Sequence, residues 1–232
     1  MLIALWQDEE ILVIDKPAGL ATQPGAGIKV SLVEAVERDF GFRPFLVHRL
    51  DRETAGCIIV ARDARAASKW TEMIAGREVG KFYRAAVAGV PRGAKGLFDS
   101  DVRVRGEAKA ARTTWSLLGA FGPFDGGDQD TSEPKGPRGT LRFSLLELEL
   151  GTGRTHQIRL QLAEAGLPIL GDDAHGDFAL NKKLRKAAGL KRLLLHATRL
   201  ALPGRGLVES PEPPHFAEFL SRFSDAPSWD AR

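Results

Sequence analysis

The feature that most constrains the fold is the succession of strand-like segments with few helical segments between them. Alternating or continuous apolar runs occur at Leu2–Trp6, Ile11–Ile14, Cys57–Ala61, Phe82–Ala88, Gly96–Val104, Thr113–Leu118, Leu141–Leu150 and Leu193–Leu202. Strands joined by short turns pair in antiparallel fashion, whereas each parallel pair needs a long crossover connection, usually a helix. This order predicts an α+β fold with a large, mixed, mostly antiparallel sheet, and it disfavours repeated βαβ units.

The helical segments are bounded by residues that commonly begin and end helices. The first begins at Ser31, which forms a capping box with Glu34, and the others begin after Asp63, at about Arg154, at Asn181 and at Pro214. Glycines follow the first four at Gly41, Gly76, Gly166 and Gly189. A short extended stretch is predicted at Val47–Asp51. Because the helical segments are amphipathic, we expect them to flank the sheet.

Residues 119–140 differ from the rest of the chain because they are rich in Gly, Pro, Asp and Ser and poor in core-forming residues. Strand-like patterns on both sides indicate a mobile hairpin excursion rather than a linker between domains. We therefore expect a single domain over residues 1–232.

The composition, 43% apolar and 27% charged residues, is that of an ordinary globular protein. A net charge of +3 is compatible with a nucleic-acid partner without requiring one. The single cysteine, Cys57, excludes an intramolecular disulfide, and the five histidines show no metal-ligand spacing. No signal peptide or membrane-spanning apolar run is evident. We expect a cytoplasmic monomer with no membrane association and no metal.

The strongest local feature is the segment from His48 to Gly56, in which Arg49 and Arg52 flank Asp51 just before a buried strand. One interpretation is a surface turn with a solvated ion pair. The other is a carboxylate held ionised by neighbouring cations, ready to act as a nucleophile or a base. The residues alone leave both interpretations open.

A second feature is the glycine turn Gly151–Gly153, followed by Arg154 and a predicted helix. Free backbone N–H groups at a helix start form an anion site, and an arginine there can reach a carboxylate or a phosphate. The segment lacks the Lys-Ser/Thr pair of a phosphate-binding P-loop.

Taken together, five segments resemble the motifs of the RluA family of RNA pseudouridine synthases. In order along the chain they are Lys16–Leu20, His48–Gly56, Lys81–Tyr83, Gly153–Arg159 and Leu195–Ala197. The resemblance extends from about Leu5 to about Phe219, and the order and spacing of the second and fourth segments are highly specific. It implies a pseudouridine synthase fold with a catalytic cleft across the sheet, and an enzyme that isomerises uridine in RNA without a cofactor.

The resemblance also implies roles for individual residues. Asp51 matches the essential aspartate, and Arg154 matches the arginine paired with it. Tyr83, the only tyrosine in the chain, matches the residue that stacks on the target uracil and helps to move the C5 proton. Leu195 matches an apolar residue of the pocket, and Arg49 resembles the arginine that fills the gap left by the flipped base. His175 stands where the family usually has a tyrosine.

Further RNA contacts are expected from His48 and Arg52, and from a basic cluster between two strands, which consists of Arg103, Arg105, Lys109 and Arg112. Several relatives carry an S4-type RNA-binding domain before the catalytic domain, and we expect none here. The expected partner is an RNA stem-loop, with large-subunit ribosomal RNA slightly favoured over tRNA. The alternatives are a catalytically silent RNA-binding protein on the same fold and an unrelated carboxylate enzyme such as a glycosidase. The latter generally needs two opposed carboxylates.

Overall fold

The computed structural model describes residues 1–104, 106–124 and 141–223. Within these ranges ten strands are present: β1 (Ile3–Gln7), β2 (Ile11–Lys16), β3 (Phe45–Leu46), β4 (Ala55–Ala61), β5 (Gly80–Ala88), β6 (Lys95–Val104), β7 (Glu107–Phe124), β8 (Leu141–Leu150), β9 (Leu195–Leu202) and β10 (Gly206–Glu209). They form one sheet in the order β1-β2-β4-β9-β5-β8-β7-β6, while β3 pairs with β4 and β10 pairs with β9. Among the described strands β4 and β9 run parallel, and the other pairs are antiparallel. The predicted α+β class with a mixed sheet is confirmed.

Helices cover the sheet. The described residues include α1 (Leu32–Phe40), α2 (Ala64–Ala75), α3 (Gln157–Glu164), α4 (Phe178–Ala188) and α5 (Pro214–Leu220). The predicted caps form: the Asp63 carboxylate accepts a hydrogen bond from the Ala66 N–H at 2.7 Å, and the Ser31 N–H donates to the Glu34 carboxylate at 2.6 Å. These bonds satisfy backbone donors that a helix start otherwise leaves free.

Alternation along the strands divides the core between the two faces of the sheet. In β2, Leu12 and Ile14 belong to the cluster that also holds Ile158 of α3, whereas Ile11 and Val13 belong to the cluster around Trp70 of α2. Successive side chains of a strand point to opposite faces, so helices on both sides bury both sets. All seven residues of β4 are buried, as its continuous apolar run predicts.

One boundary of the predicted excursion is wrong. Strand β7 continues to Phe124, and Gly119 pairs with Leu145 while Phe121 pairs with Phe143 of β8. The Phe121 ring stacks on the Phe143 ring with 4.6 Å between centroids, so the segment does supply core residues. Residues 125–140, the rest of the excursion, lie outside the described residues. The number of domains stays a prediction.

Two further predictions differ from the structure near the expected site. Val47–Asp51 is not a strand, and the extended residues before it are those of β3. Helix α3 begins at Gln157 rather than at Arg154, because His156 adopts a left-handed backbone with φ of 54° that interrupts helical geometry. Strand β10 has no counterpart among the predicted segments.

Candidate active site

A pocket opens where the loop before β4, strand β5 and the β8–α3 connection meet. It is lined by Arg49, Leu50, Asp51, Thr54, Tyr83, Leu150, Gly153, Arg154, Thr155, His156, Gln157, Ile158, Arg159 and Leu195. Residues far apart in the sequence, among them Asp51, Tyr83, Arg154 and Leu195, thus share one pocket. The structure therefore brings these four residues together with Arg49, whereas His48, Arg52 and the described residues of the basic cluster do not line this pocket.

The loop that carries Asp51 is fixed by hydrogen bonds on both sides of it. The Thr22 hydroxyl donates to the Leu50 carbonyl at 2.6 Å and accepts from the Leu50 N–H at 3.2 Å. The Arg52 carbonyl accepts from the Gly19 N–H at 2.8 Å and from the Lys16 amine at 3.1 Å. These bonds hold the backbone before and after Asp51, so the carboxylate has a fixed position.

Lys16 is fully buried, and its amine donates hydrogen bonds to three backbone carbonyls. Besides the Arg52 carbonyl, it donates to the carbonyls of Pro17 at 3.0 Å and Leu20 at 2.8 Å. Burial lowers the pKa of Lys16 to about 7, against the opposing influence of nearby carboxylates. The sequence placed Lys16 in a motif without a role, and the structure shows that it joins two loops of the site.

The partner of Asp51 is Arg159. Nη1 of Arg159 lies 3.1 Å from Oδ2 of Asp51, while Nε and Nη2 bind the two oxygens of Asp172 at 2.8 and 2.7 Å. Asp172 also accepts the N–H groups of Ala174 and His175, at 2.9 Å each. Burial raises the pKa of Asp172, but its bonds from Arg159 and the backbone outweigh burial, so the pKa is lowered. Asp172 therefore fixes the guanidinium that holds Asp51.

The predicted ion pair between Asp51 and Arg154 is wrong. Arg154 is exposed, and its Nε donates to the Ala110 carbonyl on β7 at 3.2 Å. Because α3 begins three residues later than predicted, Arg154 lies in the turn before the helix and Arg159 occupies its first turn. One feature of the sequence could have indicated Arg159 as the partner of Asp51. Arg159 precedes the core residue Leu162 by three positions, so the two side chains lie on the same, inward face of the helix.

The second oxygen of Asp51 faces a pair of histidines. Nε2 of His156 lies 3.7 Å from Oδ1 of Asp51, and Nδ1 of His156 lies 2.8 Å from Nε2 of His175. Burial and the charge of Arg159 lower the pKa of His175. Nothing in the sequence suggested that these two rings meet, because they are 19 positions apart on different elements.

The apolar wall of the pocket is formed by strands of the sheet. The Tyr83 ring on β5 is 8% exposed, and Leu195 on β9 is 4% exposed. Burial raises the pKa of the Tyr83 phenol, and the nearby charge of Asp51 adds to the shift. The phenol is therefore protonated at neutral pH, and Tyr83 lines the pocket.

Two of the residues expected to contact RNA, His48 and Arg52, form hydrogen bonds within the protein. His48 is half-buried, and its Nε2 accepts the Ile59 N–H at 2.9 Å; burial lowers the pKa of His48 to about 3. A neutral ring bound to β4 cannot act as a cationic RNA contact. Arg52 is exposed, but its Nε donates to the Gly19 carbonyl at 3.1 Å. Arg49 is exposed at the mouth of the pocket.

The expected basic cluster lies on the β6–β7 hairpin. Arg103, Lys109 and Arg112 are exposed there, and Lys109 forms an ion pair with Glu107 at 3.2 Å. The Arg112 backbone bonds Thr152 and Gly151 at the glycine turn, so this end of the cluster borders the pocket. Arg105 lies outside the described residues. Contact between this cluster and RNA stays a prediction.

Within the described ranges, no group of three or more His, Cys, Asp or Glu side chains is arranged to hold a metal ion. No helix in those ranges is long and apolar enough to cross a membrane.

Comparisons with known proteins agree with the fold and the pocket. The family model for RNA pseudouridylate synthase matches residues 10–164. The chain is 32% identical to the tRNA pseudouridine synthase C of Vibrio vulnificus, over 86% of this chain and 84% of that protein. It is 33% identical to the ribosomal large subunit pseudouridine synthase C of Salmonella typhimurium, over 91% of this chain and 66% of that protein. The solved structure of human RNA pseudouridylate synthase domain containing 4 aligns with a TM-score of 0.72 at 26% identity, covering 95% of this chain and 92% of that chain.

These matches define the class as RNA-modifying isomerases. The chain belongs to the RNA pseudouridylate synthase family, and its motifs place it in the RluA branch. It is an enzyme that forms pseudouridine in RNA.

Proposed function

We propose that this enzyme isomerises a uridine of structured RNA, with Asp51 as the catalytic carboxylate and the base flipped into the pocket. One observation carries the proposal: Asp51 has one oxygen bound by Arg159, while its other oxygen faces the pocket beside the buried Tyr83 ring. A carboxylate that is oriented from one side and open on the other can attack a sugar carbon or accept a proton.

The chemistry needs no external atom donor. The bond between N1 of uracil and C1′ of ribose breaks, the base turns, and a bond from C5 to C1′ forms. The proton leaves C5 and N1 takes up a proton, so the product is an isomer of the substrate. An ionised Asp51 serves this sequence either as a nucleophile at C1′ or as a base at C2′. The Arg159 guanidinium orients the Asp51 carboxylate through a charge-assisted hydrogen bond.

Tyr83 is the proposed stacking platform for the flipped uracil. Base–aromatic stacking contributes roughly 1–3 kcal/mol per base, which offsets part of the few kcal/mol that flipping costs. Because its phenol is protonated at neutral pH, removal of the C5 proton needs a base other than a tyrosinate. Asp51 lines the same pocket and is the proposed acceptor.

Exposed arginines at the mouth of the pocket are proposed to hold the RNA around the flipped nucleotide. Arg49 takes the place of the base in the stack, and Arg154 contacts a phosphate rather than Asp51. Large-subunit ribosomal RNA is the proposed target, because Gly176–Lys182 and Gly189–Arg192 resemble the corresponding segments of members that modify it. Relatives named for tRNA and for ribosomal RNA match at similar identity, so tRNA is the alternative to test.

The test is tritium release from transcripts labelled with [5-³H]uridine, one set of tRNAs and one of large-subunit ribosomal RNA segments. We expect Asp51→Asn to lower the rate by roughly a thousandfold or more, since the amide keeps the shape and removes the charge. Asp173→Asn is the matched control, because Asp173 is an exposed carboxylate that pairs with Arg185. Full activity of Asp51→Asn would disprove the assignment of the catalytic residue, and release from tRNA alone would disprove the proposed target.

A further inference from the structure

A second cavity, of about 430 Å³, adjoins the active-site pocket and shares Arg49, Tyr83 and Arg154 with it. Two further cations, Arg77 and Lys81, line this cavity. No carboxylate is found among the described residues that line it. Low-dielectric walls of one charge sign focus the field, so the cavity attracts anions.

Lys81 points toward this cavity from β5, on the same strand face as Tyr83. The residue is 7% exposed. Its Nζ lies beside Gly153, 3.7 Å from the position that a Cβ atom would take there, and Gly153 lines both cavities. Within the described part of the chain, the amine has no hydrogen-bond or ion-pair partner. Burial lowers the pKa of Lys81. The amine is not among the fully buried polar atoms that lack a partner, so it keeps access to the cavity that Lys81 lines.

The backbone conformation of Arg77 is energetically unfavourable. It follows α2 and Gly76, and its backbone is left-handed with φ of 64°. This conformation suits glycine at the end of a helix and costs other residues roughly 1–2 kcal/mol. A side chain retained at such a position is a reason to look for a function, and the Arg77 side chain lines the same cavity.

We propose that this cavity binds a backbone phosphate of the RNA next to the flipped uridine, with Lys81 and Arg77 as its ligands. The inference rests on the proposed function, since a base in the active-site pocket places the adjoining phosphates at the shared wall. A phosphodiester supplies the acceptor that the Lys81 amine lacks. Its bond with Arg77 offsets the free energy that the left-handed backbone of Arg77 costs. The contrast with Lys16 supports this reading, because the three acceptors of Lys16 are protein carbonyls.

The experiment measures RNA affinity by fluorescence anisotropy over a series of KCl concentrations, with the transcripts used for tritium release. Lys81→Met removes the charge and keeps the length of the side chain. We expect affinity to fall roughly 10- to 100-fold. The slope of log affinity against log salt should become shallower by about 0.7 to 0.9, which corresponds to one lost phosphate contact. The unfolding temperature should stay the same or rise.

Lys69→Met is the matched control, because it also removes one positive charge but from an exposed lysine paired with Glu10 on the protein surface. It should leave the salt slope unchanged. Arg77→Gly should also make the slope shallower, and it should raise the unfolding temperature because glycine adopts the left-handed backbone without strain. If Lys81→Met does not fold, the salt slope of Arg77→Gly tests the proposed phosphate site in its place. An unchanged slope in Lys81→Met, or weaker binding that is explained by lost stability, would overturn the proposed site.

The two proposals fail differently. If RNA binds with a Lys81-dependent slope but releases no tritium, the proposed function is wrong and the phosphate site stands. If tritium is released and Lys81→Met binds like the unaltered protein, the phosphate site is wrong and the function stands.

Discussion

Two regions of the molecule contain the same arrangement, an arginine between two carboxylates. In the active site Arg159 joins Asp51 to Asp172, and on the β1–β2 turn Arg205 joins Asp8 at 2.7 Å to Glu10 at 2.8 Å. Both arginines are largely shielded from solvent, with side chains 10% and 22% exposed. The presence of an ion pair therefore does not distinguish the two regions.

The difference lies in which acceptors remain free. Asp8 also accepts the N–H groups of Glu10 and Ile11, and Glu10 also accepts from Lys69 and from the Trp70 indole. The Arg205 cluster thereby ties the first hairpin to α2 and leaves little capacity for a ligand.

In the active-site cluster, Asp172 is equally occupied by its bonds with Arg159 and the backbone. Asp51 receives one hydrogen bond from Arg159 and turns its other oxygen to the pocket, 3.7 Å from His156. Spare acceptor capacity on a fixed carboxylate, rather than the ion pair itself, is the feature that distinguishes Asp51 as the proposed catalytic group.

The distinction between the two clusters fails if Arg159 and Arg205 affect turnover equally. We expect Arg159→Met to lower kcat roughly 10²- to 10³-fold, because Asp51 loses the donor that orients it. The same change leaves Asp172 buried without its cation and should cost about 3 kcal/mol of stability. Arg205→Met should cost about 1 kcal/mol and leave kcat within about twofold. Tritium release and urea unfolding of both variants measure the two effects, and a similar loss of kcat in the two variants would remove the distinction.

Acid pH sharpens the comparison, because it should weaken the fold before either cluster loses its structural carboxylate. Burial acts to raise the pKa values of Asp8 and Asp172, but their hydrogen bonds outweigh it, so both values are lowered. Both groups therefore contribute stability that is fully present above the ordinary carboxylate pKa of about 4 and is lost progressively as pH falls from there through the lowered values.

Buried histidines respond at higher pH. Burial lowers the pKa of His196 to about 4, whereas the unfolded chain has the ordinary value of about 6.5. Between these values the unfolded chain binds more protons, so stability rises with pH and is lost as pH falls from about 6.5 to 4. His196 alone should contribute up to about 3 kcal/mol to this loss. Urea midpoints across this range should fall less steeply in His196→Gln than in the unaltered protein, and parallel curves would contradict the assignment.

The smallest expected effect concerns Oδ1 of Asp51, the oxygen that Arg159 does not bind. If His175 donates to Nδ1 of His156, the proton of His156 lies on Nε2 and faces Oδ1 of Asp51. The opposite tautomer would direct a lone pair at the carboxylate. We expect His175→Phe to lower kcat about fivefold with little change in KM, the size of one lost hydrogen bond. His175→Tyr restores a donor and should recover most of the rate. Equal rates in the Phe and Tyr variants would show that the bond does not matter.

Much of the fold was predictable because local patterns determine it. Alternating and continuous apolar runs located most of the strands, including β4 after Asp51, and capping residues located the starts of α1 and α2. The failures are equally specific. The left-handed backbone of His156 moved the start of α3, and β10 is a four-residue strand that forms against β9. Neither feature leaves a periodic signal in the sequence.

The site was predicted as a set of residues and not as a set of contacts. The motifs identified Asp51, Tyr83 and Leu195, and these three residues line one pocket. They also suggested Arg154 as the partner of Asp51, although Arg159 occupies that place. The choice between the two arginines depends on where α3 begins and on Asp172, which fixes the guanidinium of Arg159.

By itself the sequence determined the strands, the capped helices and the chemical types that the reaction needs, because these follow from local patterns and short motifs. The tertiary structure alone decided which charges are paired. Lys16 and Lys81 are both lysines in recognisable motifs, yet one donates to three carbonyls and the other lines a cationic cavity. The partner of a buried charge comes from distant segments that packing brings together, as with Asp51 and Arg159, 108 positions apart. Local propensity carries no information about such a distance.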